Sequence, residues 1–222
     1  MLELDNVTLV IIEGVNFEQG IKALKISRQN IKFGNTKIIS PTKAGDMGDI
    51  EHVQINKIDS GGYNKFVLFE LNKYIETDYC LLIHTDGFVL NSHLWSDDFL
   101  KYDYIGSPWN YNTHVKNSKY INDSVKIKNE SDVNLVGNGG FTLRSKKLLE
   151  ETTNCKIPFE PIHGLYLEDI YICVNNYDYF KSKGIEFAPI DVANKFANDP
   201  ISDRNSTFGF HGNRGIINEY TI

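Results

Sequence analysis

Two short apolar runs do most to limit how this chain can fold. Residues 7–12 (VTLVII) are nearly all apolar and β-branched, and Tyr79-Cys80-Leu81-Leu82-Ile83 is a run of the same kind. A strand that is apolar on both faces must be covered on both faces, which is the position of a strand inside a parallel sheet. The first run ends at Glu13-Gly14 and the second at His84-Thr85-Asp86-Gly87. Between them the periodicity changes. Phe17, Ile21, Leu24 and Ile31 recur at spacings of four, three and seven, which predicts a helix with Gly34 just beyond it as C-cap. Residues 37–40 read as a second strand, 41–48 as a loop and 52–58 as a third strand. Ser60-Gly61-Gly62 opens a helix over 64–76, with Phe66, Val67, Leu71, Tyr74 and Ile75 on its apolar side.

The resulting order, β-α-β-β-α-β, predicts an α/β fold with a mainly parallel central sheet flanked by helices. Ligands of such sheets sit beyond the carboxyl ends of the strands, where Glu13 and the His84–Asp86 trio both fall. The second half is less regular. Residues 102–109 (YDYIGSPW) end in a Pro-Trp turn, and 110–131 form a polar segment of weak periodicity, the composition of a loop or lid. Residues 133–145 (VNLVGNGGFTLRS) predict a strand broken at Gly137-Asn138-Gly139-Gly140. Ser145 can N-cap a helix to about Thr152. A helix is predicted over 167–183, stopped by Gly184, then a strand over 185–190 and a tail, FGFHGNRG, that carries His211. Neither repeat nor linker interrupts the chain, so residues 1–222 are expected to form one domain.

Composition narrows the function classes. At net charge −6, with no block of Lys or Arg, the chain is not built to bind a nucleic-acid backbone. Its 13 Phe and 12 Tyr supply large planar side chains for packing and stacking. Three widely spaced cysteines, Cys80, Cys155 and Cys173, form no CxxC and predict small apolar core residues in a reducing compartment. The N-terminal apolar run has no basic residues before it and is too short for a signal peptide, and no stretch approaches a membrane span. A protein of the cytoplasm with no transmembrane segment is expected.

Four constellations can carry chemistry. In an extended segment His84 and Asp86 point to one side, so an imidazole nitrogen and a carboxylate oxygen can meet at one borderline divalent metal such as Mn²⁺. The plainer alternative is a packed His and a solvated Asp. The three glycines of GNGGF allow close backbone approach to a ligand, or a structural bulge. Glu168-Asp169 at a helix start suits simple dipole capping. Apolar neighbours Tyr166, Leu167 and Ile170 would instead raise a carboxyl pKa toward general-base use. His211, between Phe210 and Gly212, is either a packed residue or a ligand.

Taken in order, a strand-end Glu, HTD, DYIGSPW, GNGGFTLRS, a Glu-Asp pair and a late Phe-x-His resemble the GT-A class of nucleotide-sugar glycosyltransferases. More narrowly, the chain is similar to short GT-A-like proteins with DY(I/V)GxPW, GNGGFxLRS and ED signatures, over roughly residues 5–212. The resemblance implies a single GT-A-like domain, with a nucleotide-binding half in residues 1–90 and an acceptor or catalytic half in 91–222. HTD stands where that class has Asp-x-Asp. The resemblance implies that Asp86 binds a Mn²⁺ or Mg²⁺ bridging the donor diphosphate, with Thr85 beside it in the donor site and His211 completing the metal shell. His84 replaces the first Asp of the motif and takes over its contact with metal or ribose. Glu13 would lie by the nucleoside base, and Lys65 would reach ribose or phosphate. Gly139, Gly140 and Phe141 would line the sugar and acceptor cleft, with Trp109 as a stacking face. Asp169 matches the base of inverting enzymes, with Glu168 as second choice, and Arg144 would tie its strand to a neighbouring carboxylate.

The activity implied is metal-dependent hexosyl transfer from a UDP-sugar to a hydroxyl of a glycan or glycoconjugate, with a companion domain or protein helping to select the acceptor. Two alternatives share the scaffold: a non-catalytic nucleotide-sugar or carbohydrate-binding module, and a metal-dependent nucleotidyltransferase.

Overall fold

The computed structural model describes residues 1–43, 45–116, 118, 119, 121, 127, 130–199 and 203–221. Its centre is a six-stranded sheet. The strands are β1 (Leu2–Ile12), β2 (Ile31–Ser40), β3 (Glu51–Gln54), β4 (Tyr79–Ile83), a short β5 (Tyr104–Ile105) and, beyond the two-residue strands β6 (Ser107–Pro108) and β7 (Val136–Gly137), β8 (Phe141–Ser145). The order across the sheet is β3-β2-β1-β4-β8-β5. β3, β2, β1 and β4 are mutually parallel, while β8 runs antiparallel to both β4 and β5. This is the mainly parallel α/β sheet that the two apolar runs predict.

Both central strands are covered on both faces. Leu9, Ile11, Leu81 and Ile83 enter a core shared with α1 (Phe17–Ser27) and a group of phenylalanines from the second half. Val10, Ile12, Cys80 and Leu82 face the opposite way, onto Phe66, Val67 and Leu71. The first two of these belong to α2 (Ser60–Phe69), whose N-cap Asp59 accepts a hydrogen bond from the Gly62 N–H at 2.7 Å. A third core gathers Tyr104, Ile172, Phe180 and Leu148. Leu148 lies on α3 (Lys146–Asn154), whose N-cap is Ser145 as predicted; its hydroxyl accepts from the Leu148 N–H at 3.0 Å.

Several boundaries differ from the periodicity. α1 stops at Ser27 with Arg28 as C-cap, and Ile31 is the first residue of β2, paired with Leu2. Gly34 is therefore no helix cap. β1 shifts register against β2 between Leu4 and Thr8, and a Cβ on Gly34 would stand 2.0 Å from the Asp5 carbonyl oxygen. Only a residue without a side chain lets the two backbones approach there. The third strand is shorter than expected, and the helix expected over 64–76 is α2 followed by a separate 3₁₀ turn, Leu71–Tyr74.

The helix expected over 167–183 is three pieces: α4 (Glu168–Ile170), a π-helical turn Tyr171–Asn175, and α5 (Tyr177–Ser182). Gly184, at φ 75°, follows. Residues 185–190 are not a strand. Phe187 makes one bridge to Tyr104, and Ile190 already opens α6 (Ile190–Phe196), which runs into β9 (Ala197–Asn198). β9 pairs in parallel with β10 (Gly209–Phe210). Much of the predicted polar loop lies outside the described residues; within it are a π-helical turn, Tyr111–Lys116, and a 3₁₀ turn, Glu130–Asp132. Among the described residues no helix is long and apolar enough to cross a membrane.

The Gly34 contact generates a test. Gly34→Ala should lower the free energy of unfolding by about 1–3 kcal/mol, the usual range for a forced overpacking, in a urea titration. An unchanged midpoint would show that the β1–β2 register is not held by that contact.

Candidate metal centre and adjoining cavity

β1 and β4 end together, because Ile11 pairs with Ile83. Glu13 and His84 therefore leave the sheet side by side. The chain does not stay extended beyond β4. His84 and Gly87 bridge each other, with N–H to O distances of 2.9 and 3.2 Å, and Thr85-Asp86 form the tip of a tight turn. His84 and Asp86 still converge, His84 Nδ1 lying 3.8 Å from Asp86 Oδ1. The convergence comes from the turn and not from strand alternation.

The third member arrives from the far end of the chain. The His211 N–H donates to the Asn198 carbonyl at 3.0 Å, which extends the β9–β10 pairing and brings His211 Nε2 to 3.6 Å from Asp86 Oδ1. One ligating atom from each of His84, Asp86 and His211 lies within 4.8 Å of the others. All three are part-buried, so an ion can reach them.

Burial pushes the His84 imidazole down to about 4, His211 adds to the effect, and Asp86 opposes it. At neutral pH it is uncharged and has a lone pair to offer. Its Nε2 lies 2.5 Å from the Tyr63 hydroxyl, so Nδ1 is the nitrogen turned toward Asp86. Burial holds the Tyr63 phenol well above its ordinary range, and it stays protonated. The exposed Arg214 places Nε 3.4 Å from Asp86 Oδ2. Two imidazole nitrogens and one carboxylate oxygen are a donor set that fits a first-row divalent metal.

GNGG runs behind this cluster. A Cβ on Gly140 would lie 2.1 Å from the His211 ring, and one on Gly139 would lie 1.9 Å from Glu168 Oε1. The glycines are thus spaces occupied by site side chains. Phe141 does not line a cleft, as the resemblance implies; its side chain is fully buried, with ring centroids 5.0 Å from Phe196 and 6.0 Å from Phe208. Position 141 starts β8, and alternation turns it into the aromatic core. Trp109 is part-buried against Gly137 and the core around Tyr171 and is not among the residues that line the cavity.

Glu168 and Asp169 have separate positions. Glu168 is 2% exposed, and Arg144 Nη2 donates to both its carboxylate oxygens at 2.9 Å. Burial, the largest influence, raises the Glu168 carboxyl above its ordinary range against the pull of Arg144. Burial also opposes the Arg144 charge, and the carboxylate beside it overcomes this, so the guanidinium is held charged. Arg144 further donates to Thr142 Oγ1 at 2.9 Å. Glu168 is therefore the buried counter-ion of Arg144 and is not available as a base. Asp169 is only part-buried. Its Oδ2 accepts from the Gly139 N–H at 3.2 Å and its Oδ1 from the Ile170 N–H at 2.8 Å.

A cavity of about 530 Å³ opens beside the cluster, lined by Ile12, Glu13, Ile58, Asp59, Tyr63 and the His84–Asp86 turn among others. Glu13 reaches it, but its Oε1 already accepts from the Val15 and Asn16 N–H groups at 2.7 and 2.9 Å, which shapes the entry to α1. Lys65 is absent from the lining; its amine lies 4.2 Å over the Tyr166 ring. Tyr63 and Arg214, which touch His84 and Asp86, are among the members that pattern reading missed. The available signal was position: Tyr63 closes the first turn of α2, and Arg214 follows His211 by three residues.

The fold and this cluster define an α/β protein with a candidate histidine–aspartate–histidine metal centre at the carboxyl ends of its parallel strands. The chain belongs to the family described as "protein of unknown function (DUF5672)", whose profile matches residues 50–211 and so spans His84, Asp86, Asp169 and His211. No curated relative matches the sequence. Among solved structures it is similar to an active-site mutant of LgtC (13% identity, TM-score 0.46) and to the galactosyltransferase LgtC in complex with donor and acceptor sugar analogues (13%, 0.45), in both cases over 92% of this chain and 86% of that one. It is also similar to the bifunctional IspDF from Campylobacter jejuni, at 10% identity and TM-score 0.40, over 82% of this chain and 48% of that one.

The Arg144–Glu168 pair generates the second test. Glu168→Gln leaves a buried guanidinium without its counter-ion and should cost about 3–5 kcal/mol of stability. Asp169→Asn, at a part-buried carboxylate, should cost far less. Thermal and urea melts of the two variants distinguish these roles; equal losses would contradict the division.

Proposed function

We propose that this protein is a metal-dependent glycosyltransferase that moves a hexose from a UDP-sugar to a hydroxyl of a glycan or glycoconjugate, in one GT-A-like domain. The observation that carries the reading is the convergence of His84, Asp86 and His211 beside the cavity, with the GNGG backbone linking that cluster to Asp169. The sequence resemblance to GT-A enzymes supplies the reaction class. Asp86, His211 and His84 would hold the ion, and their nitrogen-rich set favours Mn²⁺ over the oxygen-seeking Mg²⁺. When bound, the ion neutralises charge on the leaving nucleoside diphosphate.

The remaining roles belong to the chain itself. Glu13, Ile12 and Ile58 supply the wall on which a nucleoside would rest, residues 1–90 forming the nucleotide half and 91–222 the acceptor half. Thr85 and Tyr63 border the donor. Asp169, oriented by the Gly139 N–H, takes the acceptor proton as general base, which gives inversion at the anomeric carbon. A companion domain or protein would complete acceptor selection, and the cytoplasm is the compartment that fits a nucleotide-sugar consumer of this kind.

Two measurements test the reading. In a thermal-shift panel of UDP, GDP, dTDP and CDP with and without metal, UDP with Mn²⁺ should stabilise most, by about 3 kcal/mol at a hundredfold excess over its dissociation constant. Mn²⁺-dependent release of UDP from UDP-sugars should disappear in Asp86→Ala and Asp169→Asn. Binding unaffected by Asp169→Asn, with no turnover of any donor, would indicate a binding module instead. Pyrophosphate release from a nucleoside triphosphate would indicate a nucleotidyltransferase.

A further inference from the structure

Three carboxylates line the cavity: Glu13, Asp59 and Asp86. Asp86 lies between the two histidines and Arg214. Glu13 stands at the end of β1, with Oε1 taken up by the Val15 and Asn16 N–H groups. The ring nitrogens of His84 are engaged as well, Nε2 against the Tyr63 hydroxyl and Nδ1 toward Asp86, so neither is turned to a sugar. Asp59 has no part in the cluster, and it is exposed at the cavity.

Its carboxylate is held in place by the helix that it caps. Oδ1 accepts from the Gly62 N–H at 2.7 Å, and among the described residues nothing bonds Oδ2. A Cβ on Gly62 would stand 3.0 Å from Ile58 Cβ and 3.2 Å from Asp59 Oδ1, so the missing side chain lets the cap close tightly. The Asp59 carbonyl accepts from the Tyr63 N–H at 2.8 Å, one helical turn on, and Tyr63 meets His84. The wall therefore runs from Asp59 through Tyr63 to the histidine–aspartate cluster. Arg214, beside Asp86, is the one Lys or Arg among the described residues that line the cavity. A phosphate is thus attracted at the Asp86 end and repelled at the Asp59 end. A carboxylate accepts hydrogen bonds and donates none, so Asp59 suits an uncharged group with two adjacent O–H donors.

We propose that Asp59 is a specificity-determining residue whose carboxylate accepts hydrogen bonds from the vicinal 2′- and 3′-hydroxyls of a ribonucleotide, and so selects ribo- over deoxyribonucleotides. This rests on the reading above in taking the occupant of the cavity to be a nucleoside diphosphate. With the base against Ile12 and Ile58 and the diphosphate at the cluster, the ribose lies between them, on the wall that Asp59 begins. The fixed Oδ1 orients the carboxylate before the ligand arrives, which limits the ordering cost of binding.

The test is calorimetric titration of the full chain, with Mn²⁺ present, by UDP, 2′-deoxy-UDP and 3′-deoxy-UDP. The wild type should bind UDP about 10- to 100-fold more tightly than either analogue, the usual effect of a hydrogen bond to a charged group. Asp59→Ser and Asp59→Asn each keep a side-chain oxygen for the Gly62 N–H, so both should fold with urea midpoints near that of the wild type. In Asp59→Ser the affinity for UDP should fall to within about threefold of the analogues, whose own affinities stay put; Asp59→Asn should move the same way. A merely structural role would weaken all three ligands alike. Equal affinities in the wild type, or discrimination retained in the folded variants, would overturn the proposal and leave the UDP reading standing. The same pattern with GDP and 2′-deoxy-GDP, without binding of UDP, would defeat the UDP reading alone. Diol-dependent binding with no transfer of any sugar would defeat the transferase reading alone. Binding of no nucleotide at all would overturn both.

Discussion

The parallel pairing of β1 with β4 is the constraint on which the site depends. Ile11 opposite Ile83 aligns the ends of the two strands, and their alternating side chains bury both faces of the sheet. Once those strands share a register, Glu13 and the His84–Asp86 turn must emerge at one edge, between α1 and the start of α2. A slip of one residue would exchange the side chains of the two buried faces, and with them the packing partners in both cores. The cavity follows from the same geometry, as a crevice beyond strand ends with helices on either side.

The second half closes the site by packing around a buried charge. Arg144 projects from β8 and Glu168 from the start of α4, and their pairing ties the sheet to the helical segment that bears Asp169. Leaving either charge alone in that interior would be costly, so α4 has little freedom to shift relative to β8. GNGG lies between the two. Its missing side chains are the room into which Glu168 and His211 fit, so a flexible-looking sequence is structurally a tightly occupied one.

The elements legible in the sequence are those with a strong local signal. Tyr79–Ile83 has the predicted limits, and Ser145 caps α3 as its hydroxyl suggests. Ile31 misled because its spacing continues the helical series of α1, whereas pairing with Leu2 draws it into β2. Residues 185–190 are apolar enough for a strand, but the short β5 offers Phe187 a single bridge and Pro189 precedes the first turn of α6. The resemblance implies a cleft position for Phe141, but its side chain obeys the strand alternation and joins the core.

By itself the sequence determined the α/β class, the strand ends at which chemistry would gather, and the residue types able to hold a metal, because buried-strand runs, turn glycines and donor atoms are local properties. Tertiary structure decided which of them meet. His211 joins His84 and Asp86 only through the β9–β10 pairing, and Glu168 is separated from Asp169 only by the reach of Arg144. Tyr63, Asn138 and Asp199 acquire their positions around the two imidazoles from three separate parts of the chain. No spacing encodes such meetings, since they arise from contacts between separate segments of the chain, and a pattern along the chain carries no distance across it.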